Sequence, residues 1–229
     1  MKLSPRKPPT RSSPAAARAP APARAAATAR PNPSVGKNPA TLLAHLTLHQ
    51  KGWLHASKKS DSHPMPWPAG FEPKKSPVFA HNEVFIPLPP SAVFAGLVDA
   101  ARWPEHLGNA GKIDIRSGGG PAGALQLGTR YRWSFGEKLK NEVTLFEPNR
   151  AIGWTADGTG SKGFHRWILV PVPGGTRLIT EETQHGLVPK LAGKLTNPML
   201  HGAHQWWLES LKKQLLTDRA AGRTPNDLG

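Results

Sequence analysis

The sequence predicts an α+β fold, in which a curved antiparallel sheet of about six to seven strands wraps around a long C-terminal helix. Three observations carry this prediction. Segments with alternating apolar residues are separated by Pro and Gly turns between residues 112 and 184, two short helical segments follow the first strand, and one amphipathic segment closes the chain. Consecutive strands of period two pair as antiparallel hairpins, and the helix after them covers one sheet face.

The first strand and the two short helices come from residues 78–108. The segment "VFAHNEVFIPL" is rich in Val and Phe and stops at a run of prolines, as a strand does. Pro90 and Ser91 then open a helix. Pro104 starts a second short helical turn, which Gly108 closes.

The remaining strands follow in hairpin order. "KIDIRS" predicts a strand, "GGGPAGA" a loop and "TRYRWSF" a further strand of period two. "NEVTLFEP" and "RAIGWTADG" predict a hairpin around Pro148 and Asn149. "FHRWILVPV" and "TRLITEETQ" predict another around Pro173, Gly174 and Gly175.

The closing helix is predicted from "TNPMLHGAHQWWLESLKKQLLTD", with Thr196 or Asn197 as N-cap and Pro198 at the first helical position. At 100° per residue one stripe of this helix faces the sheet, and Glu209 lies on the opposite side. The members of the stripe are Leu200, Ala203, Trp207, Leu211 and Gln214.

Outside this domain, the composition changes. Residues 1–64 are rich in Ala, Pro and Arg and predict a disordered arm, in which a short helix at 40–55 is an open alternative. Residues 65–77 are interpreted as a linker, 78–217 as the folded domain and 218–229 as a flexible tail. A start at Met65 is a second alternative, in which the arm would not belong to the protein.

The net charge of +15 belongs largely to the arm, because residues 1–60 hold 11 of the 30 Lys and Arg and none of the 15 Asp and Glu. Weak nucleic-acid contact through residues 1–60 is therefore one expected activity. The absence of Cys excludes disulfides and thiolate chemistry. No apolar run approaches the ~20 residues of a membrane helix, so we expect a soluble, cytoplasmic protein. Organellar targeting is less favoured, because prolines oppose an amphipathic leader.

The order of elements resembles that of a known group of proteins. Over about residues 78–217 the chain is similar to the SRPBCC superfamily. The similarity lies in this order of elements and in the segments "ARWPEHLG", "EPNRAIGW", a W-x-L segment, "GGTRLITEETQHG" and the closing helix. This superfamily includes START lipid-transfer domains, the birch-pollen-allergen family and the polyketide cyclase/dehydrase family. The resemblance implies a helix-grip fold with an apolar cavity between sheet and helix. Members bind lipids, sterols, quinones or polyketides and only some are enzymes, so the resemblance implies a cavity more strongly than a reaction.

Charged residues mark the outward face of each strand, and their neighbours are then predicted to face the cavity. In three strands the residues that alternate with an arginine are therefore predicted to face inward. The outward arginines are Arg130 and Arg132 in one strand, Arg166 in the second and Arg177 in the third. The predicted ligand-binding residues are Tyr131, Trp133, Trp154, His165, Trp167, Leu178, Thr180, Glu182, Ala203 and Trp207. The tryptophans either fill a core or form aromatic walls for a flat apolar ligand, and the sequence leaves both open.

Glu181 and Glu182 are adjacent in one strand, so only one of them can face the cavity. The pattern places Glu182 inside with His165 on the neighbouring strand as its partner, and Glu181 outside. Glu182 is then a buried carboxylate with a structural partner, a ligand anchor or a proton-transfer group. The candidate catalytic residues are His165, Glu182 and Tyr131.

Three functions follow from these features. The first is binding of a small apolar or amphipathic molecule, the second is a polyketide cyclase/dehydrase-type enzyme, and the third is nucleic-acid binding through the arm. No cofactor is expected. The "HGAH" segment offers His201 and His204, but without an HExxH pattern we expect no metal site there.

Overall fold

Seven antiparallel strands form one sheet in a computed structural model that describes residues 55–108, 112–134 and 138–223, all within one compact unit. The strands are β1 (Val78–Ile86), β2 (Ile113–Ser117), β3 (Arg130–Ser134), β4 (Lys138–Glu147), β5 (Ala151–Gly158), β6 (Ser161–Val172) and β7 (Gly175–His185). Their order across the sheet is β1-β7-β6-β5-β4-β3-β2. The helices are α1 (Pro90–Val98), α2 (Trp103–Leu107) and α3 (Leu187–Ala220). The predicted α+β helix-grip fold is confirmed.

The hairpin turns lie where the sequence predicts them, because residues that tolerate a left-handed backbone stand at the required positions. Asn149 connects β4 to β5 with a φ of 61°, and Gly174 connects β6 to β7 with a φ of 82°. The resulting register places His165 opposite Glu182 and Arg166 opposite Glu181. Two side chains from adjacent strands therefore meet on each face of the sheet.

The predicted start of the last helix at Thr196–Pro198 is wrong, because α3 begins at Leu187 and contains Pro198 in its interior. Gly186, with a φ of 116°, ends β7 and turns the chain into the helix. Asn197 does not act as an N-cap. Its side chain accepts a hydrogen bond from the Phe79 amide at 2.8 Å and so occupies the outer edge of β1.

The core lies between the sheet and α3, and Trp207 is at its centre. The Trp207 ring lies 4.9 Å from Trp133, 4.9 Å from Trp167 and 5.0 Å from Trp103, measured between centroids. Burial of large aromatic rings from a helix and several strands joins these elements into one core. No helix in the described ranges is long and apolar enough to cross a membrane.

The opposite face of the sheet is covered by residues 57–77, here named the N-terminal strap. Arg166 points to this face, as the pattern predicts, yet it is fully buried instead of meeting water. Its guanidinium donates hydrogen bonds to the carbonyl oxygens of His63, Met65 and Pro66 at 3.2, 2.8 and 3.1 Å. It also pairs with Glu181 at 2.6 Å. The strap therefore replaces solvent as the partner of this charge.

These contacts show that the folded domain begins earlier in the chain than its composition suggested. Residues expected to belong to a disordered arm and a linker pack on the sheet, because their backbone carbonyls satisfy the buried Arg166. Ser57 and His63 precede Met65 in the sequence and also contact the sheet. The Ser57 hydroxyl accepts a hydrogen bond from the His81 amide on edge strand β1 at 2.9 Å. The C-terminal boundary also differs, since α3 continues through Asp218, which is buried and pairs with Arg102 at 2.8 Å. The remaining arm predictions, including the 40–55 helix and most of the nucleic-acid segment, lie outside the described residues.

Truncation tests the strap. Deleting residues 1–68 should lower the free energy of unfolding by about 2 kcal/mol or more, because each hydrogen bond to a charged group contributes about 1.5–3 kcal/mol and three such bonds are lost. Deleting residues 1–54 removes none of the contacts described above and should leave the melting temperature nearly unchanged. Calorimetry of both truncated proteins measures the difference, and equal melting temperatures would show that the strap adds no stability.

Candidate functional site

A cavity of about 290 Å³ lies between the sheet and the N-terminal half of α3. One end is polar and the rest is mainly apolar and aromatic, which is typical of small-molecule sites. Its lining residues are Trp133, Leu139, Ser161, His165, Glu182, Gln184, Val188, Pro189, Thr196, Leu200, Ala203, His204 and Trp207.

The polar end consists of His165 from β6, Glu182 from β7 and His204 from α3. Their exposed fractions are 2%, 9% and 3%, so all three are buried. Oε2 of Glu182 lies 3.4 Å from Nδ1 of His165 and 3.2 Å from Nε2 of His204. The two imidazole rings stack with centroids 4.6 Å apart. One carboxylate oxygen is therefore shared between two imidazoles.

Neighbouring side chains fix the orientation of this cluster. Nε2 of His165 lies 2.7 Å from the Thr180 hydroxyl in a buried hydrogen bond. Gln184 donates a hydrogen bond to Oε1 of Glu182 at 2.6 Å. Because these contacts occupy Nε2 of His165 and Oε1 of Glu182, Nδ1 and Oε2 are the atoms that face His204 and the cavity.

The electrostatics of the cluster favour an ionised carboxylate beside a neutral imidazole. Burial opposes the charged form of Glu182, but the His204 hydrogen bond, the His165 and His204 charges and the Gln184 hydrogen bond outweigh it and lower the pKa to about 2. Burial is the main cause that lowers the pKa of His165 to about 3, with a further lowering from His204 and an opposing effect from Glu182. The cavity thus presents a negative charge at its polar end.

The predicted site residues fall into two groups. Five of them line the cavity: Trp133, His165, Glu182, Ala203 and Trp207. The others pack behind this wall. Tyr131, Trp154, Trp167 and Leu178 belong to the buried core, and Thr180 contacts the cavity only through its hydrogen bond to His165. The ligand-binding role of all ten stays a prediction.

The buried groups without a hydrogen-bond partner in the described ranges include the Tyr131 hydroxyl and the indole nitrogens of Trp167 and Trp207. Burial is the main cause that raises the pKa of Tyr131 well above its usual value, and the Glu182 charge adds to it, so the group remains a phenol. Trp207 lines the cavity, and its indole N–H is a buried donor without a partner in the described ranges.

His204 belongs to the polar cluster but is not among the predicted ligand-binding residues. The helical wheel places it 100° from Ala203, and its spacing from His201 suggested only a pair within the helix. Its membership of the cluster depends on how far α3 is rotated about its own axis, which short-range periodicity does not determine.

A second cavity of about 270 Å³ lies at the other end of the domain, between α1 and the end of α3. Three of its charged residues, Arg102, Asp218 and Arg223, pair with one another. Asp218 accepts from Arg102 at 2.8 Å and from Arg223 at 2.7 Å. The cavity at His165 is the better candidate, because one buried carboxylate and two buried imidazoles line it together with aromatic side chains.

The family assignment agrees with this architecture. A family profile described as polyketide cyclase/dehydrase and lipid transport matches residues 80–216, which is more than half of the chain. The chain belongs to this family. The matched range contains all seven strands except the first two residues of β1, and it ends within α3.

Solved structures of this fold resemble the chain. A hypothetical protein from Helicobacter pylori is 27% identical over 67% of this chain and 96% of its own, with a TM-score of 0.59. A protein from Thermus thermophilus is 19% identical over 61% and 97%, with a TM-score of 0.50. Norcoclaurine synthase from Thalictrum flavum, in complex with dopamine and hydroxybenzaldehyde, is 17% identical over 61% and 86%, with a TM-score of 0.48. A search of curated protein sequences gave no match.

Proposed function

We propose that this member of the polyketide cyclase/dehydrase and lipid transport family binds a small amphipathic molecule in the cavity beside α3. The observation that carries the proposal is the single carboxylate, Glu182, at the end of an otherwise largely apolar and aromatic cavity. A ligand with a flat apolar body packs on Trp133 and Trp207. A hydroxyl group on that ligand donates a hydrogen bond to Glu182, and hydrogen bonds to charged groups contribute about 1.5–3 kcal/mol.

The rim of the cavity supports an amphipathic ligand. Val188 lines the cavity and is 50% exposed, and it is joined on the first turns of α3 by exposed Leu187, Leu191 and Leu195. An apolar rim next to a buried polar end matches a molecule that enters with its polar group first. The cavity volume of about 290 Å³ suits a ligand of two or three fused rings or a short chain.

A second candidate function is proton transfer of the cyclase/dehydrase type. The contact between Glu182 and two imidazoles favours this second function. In it, Glu182 would accept a proton from a substrate carbon next to a carbonyl group, and the imidazoles would carry the proton away. The carbon–hydrogen bond breaks and its electron pair forms the carbon–carbon double bond of an enolate, while the π pair of the carbonyl group moves to its oxygen and the proton passes to Glu182. The binding function is the stronger candidate, because general bases work best with a pKa near the working pH and that of Glu182 is about 2.

The probe 2-naphthol tests the anchor, with 2-methoxynaphthalene as a ligand that keeps the rings but lacks the donor. Binding should quench tryptophan fluorescence, because Trp133 and Trp207 line the cavity. We expect wild-type protein to bind 2-naphthol about 10-fold more tightly than the methyl ether, which corresponds to one charge-assisted hydrogen bond. Glu182→Gln should remove most of this difference.

Glu83→Gln is the matched control, because Glu83 is exposed on β1, lies 3.8 Å from Arg177 and does not line the cavity. Glu181→Gln is unsuitable, since Glu181 is buried against Arg166. Equal affinities for both naphthalenes in wild type and Glu182→Gln would contradict the anchor. Hydrogen–deuterium exchange of 2-tetralone in D₂O, followed by NMR, tests the second function: exchange faster than in Glu182→Gln, at equal affinity, would favour catalysis.

A further inference from the structure

We propose that His165, Glu182 and His204 form a binding site for one divalent transition-metal ion of the zinc type. These are the side chains that, in the described part of the chain, bring three His or acidic ligand atoms together, all within 4.8 Å of one another. They come from β6, β7 and α3, so the complete fold is needed to assemble them.

The separations match those of metal ligands. Ligand atoms at about 2.0–2.1 Å from a tetrahedral zinc ion lie about 3.3–3.4 Å from each other. Oε2 of Glu182 lies 3.4 Å from Nδ1 of His165 and 3.2 Å from Nε2 of His204. The remaining separation, between the two imidazole nitrogens, is within 4.8 Å, so binding an ion would draw the His204 ring closer to His165.

The neighbours of the cluster leave the correct atoms free for an ion. If Nε2–H of His165 donates to Thr180 at 2.7 Å, the lone pair of Nδ1 faces the centre of the cluster. The Gln184 amide holds Oε1 of Glu182 at 2.6 Å, which orients Oε2 to the same point. Metal ligands in proteins are generally oriented by such outer hydrogen bonds.

The charge around the site also suits a cation. Glu182 is the one charged side chain in the lining, and no described Lys or Arg lines the cavity. A divalent ion bound to the two imidazoles would compensate the charge of this buried carboxylate, which has no Lys or Arg beside it in the lining. Nδ1 of His204 is buried and has no hydrogen-bond partner in the described ranges, so no outer hydrogen bond holds this ring.

The donor set selects the class of metal. Two imidazoles and one carboxylate suit Zn²⁺, Co²⁺ and Fe²⁺, whereas Mg²⁺ and Ca²⁺ prefer sites made of oxygen atoms. Three protein ligands leave a fourth position, and it opens on the cavity. An ion there would bind an oxygen atom of a ligand directly, which a closed structural site would not allow.

Cobalt provides the test, since its absorption in the visible range reports its coordination. Full-length protein without a histidine tag is dialysed against a chelator, the chelator is removed, and CoCl₂ is titrated. We expect the absorption of four- or five-coordinate Co²⁺ to saturate at one ion per chain. ZnCl₂ should displace Co²⁺ and raise the melting temperature, because an ion that binds only the folded state stabilises it.

Four variants distinguish this site from other histidines of the chain. His204→Ala and Glu182→Gln should each abolish the saturable spectrum, and circular dichroism verifies that they are folded. Thr180→Val keeps all three ligands but removes the outer hydrogen bond, so affinity should fall about 10- to 100-fold. His185→Ala, an imidazole on the same strand as Glu182 but outside the cluster, should bind as wild type does.

Two results would overturn the proposal: no Co²⁺ spectrum in the wild-type protein, or the same spectrum and affinity in the folded His204→Ala and Glu182→Gln variants. If one of these two variants does not fold, the other and Thr180→Val decide the question. The 2-naphthol titration on metal-free protein is a separate measurement. A failed metal site therefore leaves the binding function standing, and a failed naphthol anchor leaves the metal site standing.

Discussion

Arg166→Met is expected to destabilise the protein by about 3–5 kcal/mol, which is the usual cost of removing one partner from a buried ion pair. Arg166 and Glu181 are both fully buried, and two guanidinium nitrogens donate to Oε2 of Glu181 at 2.9 and 2.6 Å. The guanidinium also lies 3.8 Å from the centre of the Trp67 ring. Methionine keeps the approximate length of the side chain but leaves the Glu181 carboxylate without its main cation. Urea unfolding measures the change.

Two further variants separate the ion pair from general packing. Arg130→Met removes a cation from an exposed pair with Glu142, so it should cost less than about 1 kcal/mol. The double variant Arg166→Met/Glu181→Met should be more stable than Arg166→Met alone, because it removes the uncompensated charge as well. A double variant that is less stable than the single one would show that the cost comes from the lost strap contacts and not from the charge.

The strands and their faces could be predicted from the sequence, because both depend on local pattern. Alternation with a period of two placed Glu182 and His165 on the inner face and Arg166 and Glu181 on the outer one, and the register confirms this arrangement. The prediction that outward charges meet water was wrong at Arg166. A strand pattern shows which residues share a face, but it does not show what covers that face.

The strap and the polar cluster could not be predicted, because each depends on contacts between residues far apart in the chain. Residues 63–66 are proline-rich, and their carbonyl groups contact an arginine about 100 residues away in the chain. His204 meets Glu182 only because α3 begins at Leu187 and crosses the sheet at a particular rotation. Pro198 misled the prediction of the helix start, since a proline at a helix start and a proline tolerated inside a long, packed helix look alike in sequence.

Trp207→Ala is expected to cost about 3–5 kcal/mol, as for other large aromatic side chains removed from a core. Trp207 is 2% exposed, and its ring contacts those of Trp103, Trp133 and Trp167 within 5.0 Å. Glu209→Ala on the other side of α3 should change the free energy of unfolding by less than about 0.5 kcal/mol. If the two variants unfold alike, the orientation of the helix is wrong.

Because Trp207 belongs to the core and also lines the cavity, Trp207→Ala does not by itself separate stability from binding. Trp207→Phe keeps an aromatic ring against Trp133 and Trp167 but removes the indole N–H, which has no partner in the described ranges. We expect it to lose less stability than the alanine variant. If the ligand accepts a hydrogen bond from Trp207, the phenylalanine variant should weaken the binding of 2-tetralone, which carries a carbonyl acceptor, more than that of 2-methoxynaphthalene. If the binding of both ligands weakens equally, Trp207 contacts the ligand only through its apolar ring. The polar contacts of the site would then come from Glu182 and its two imidazoles.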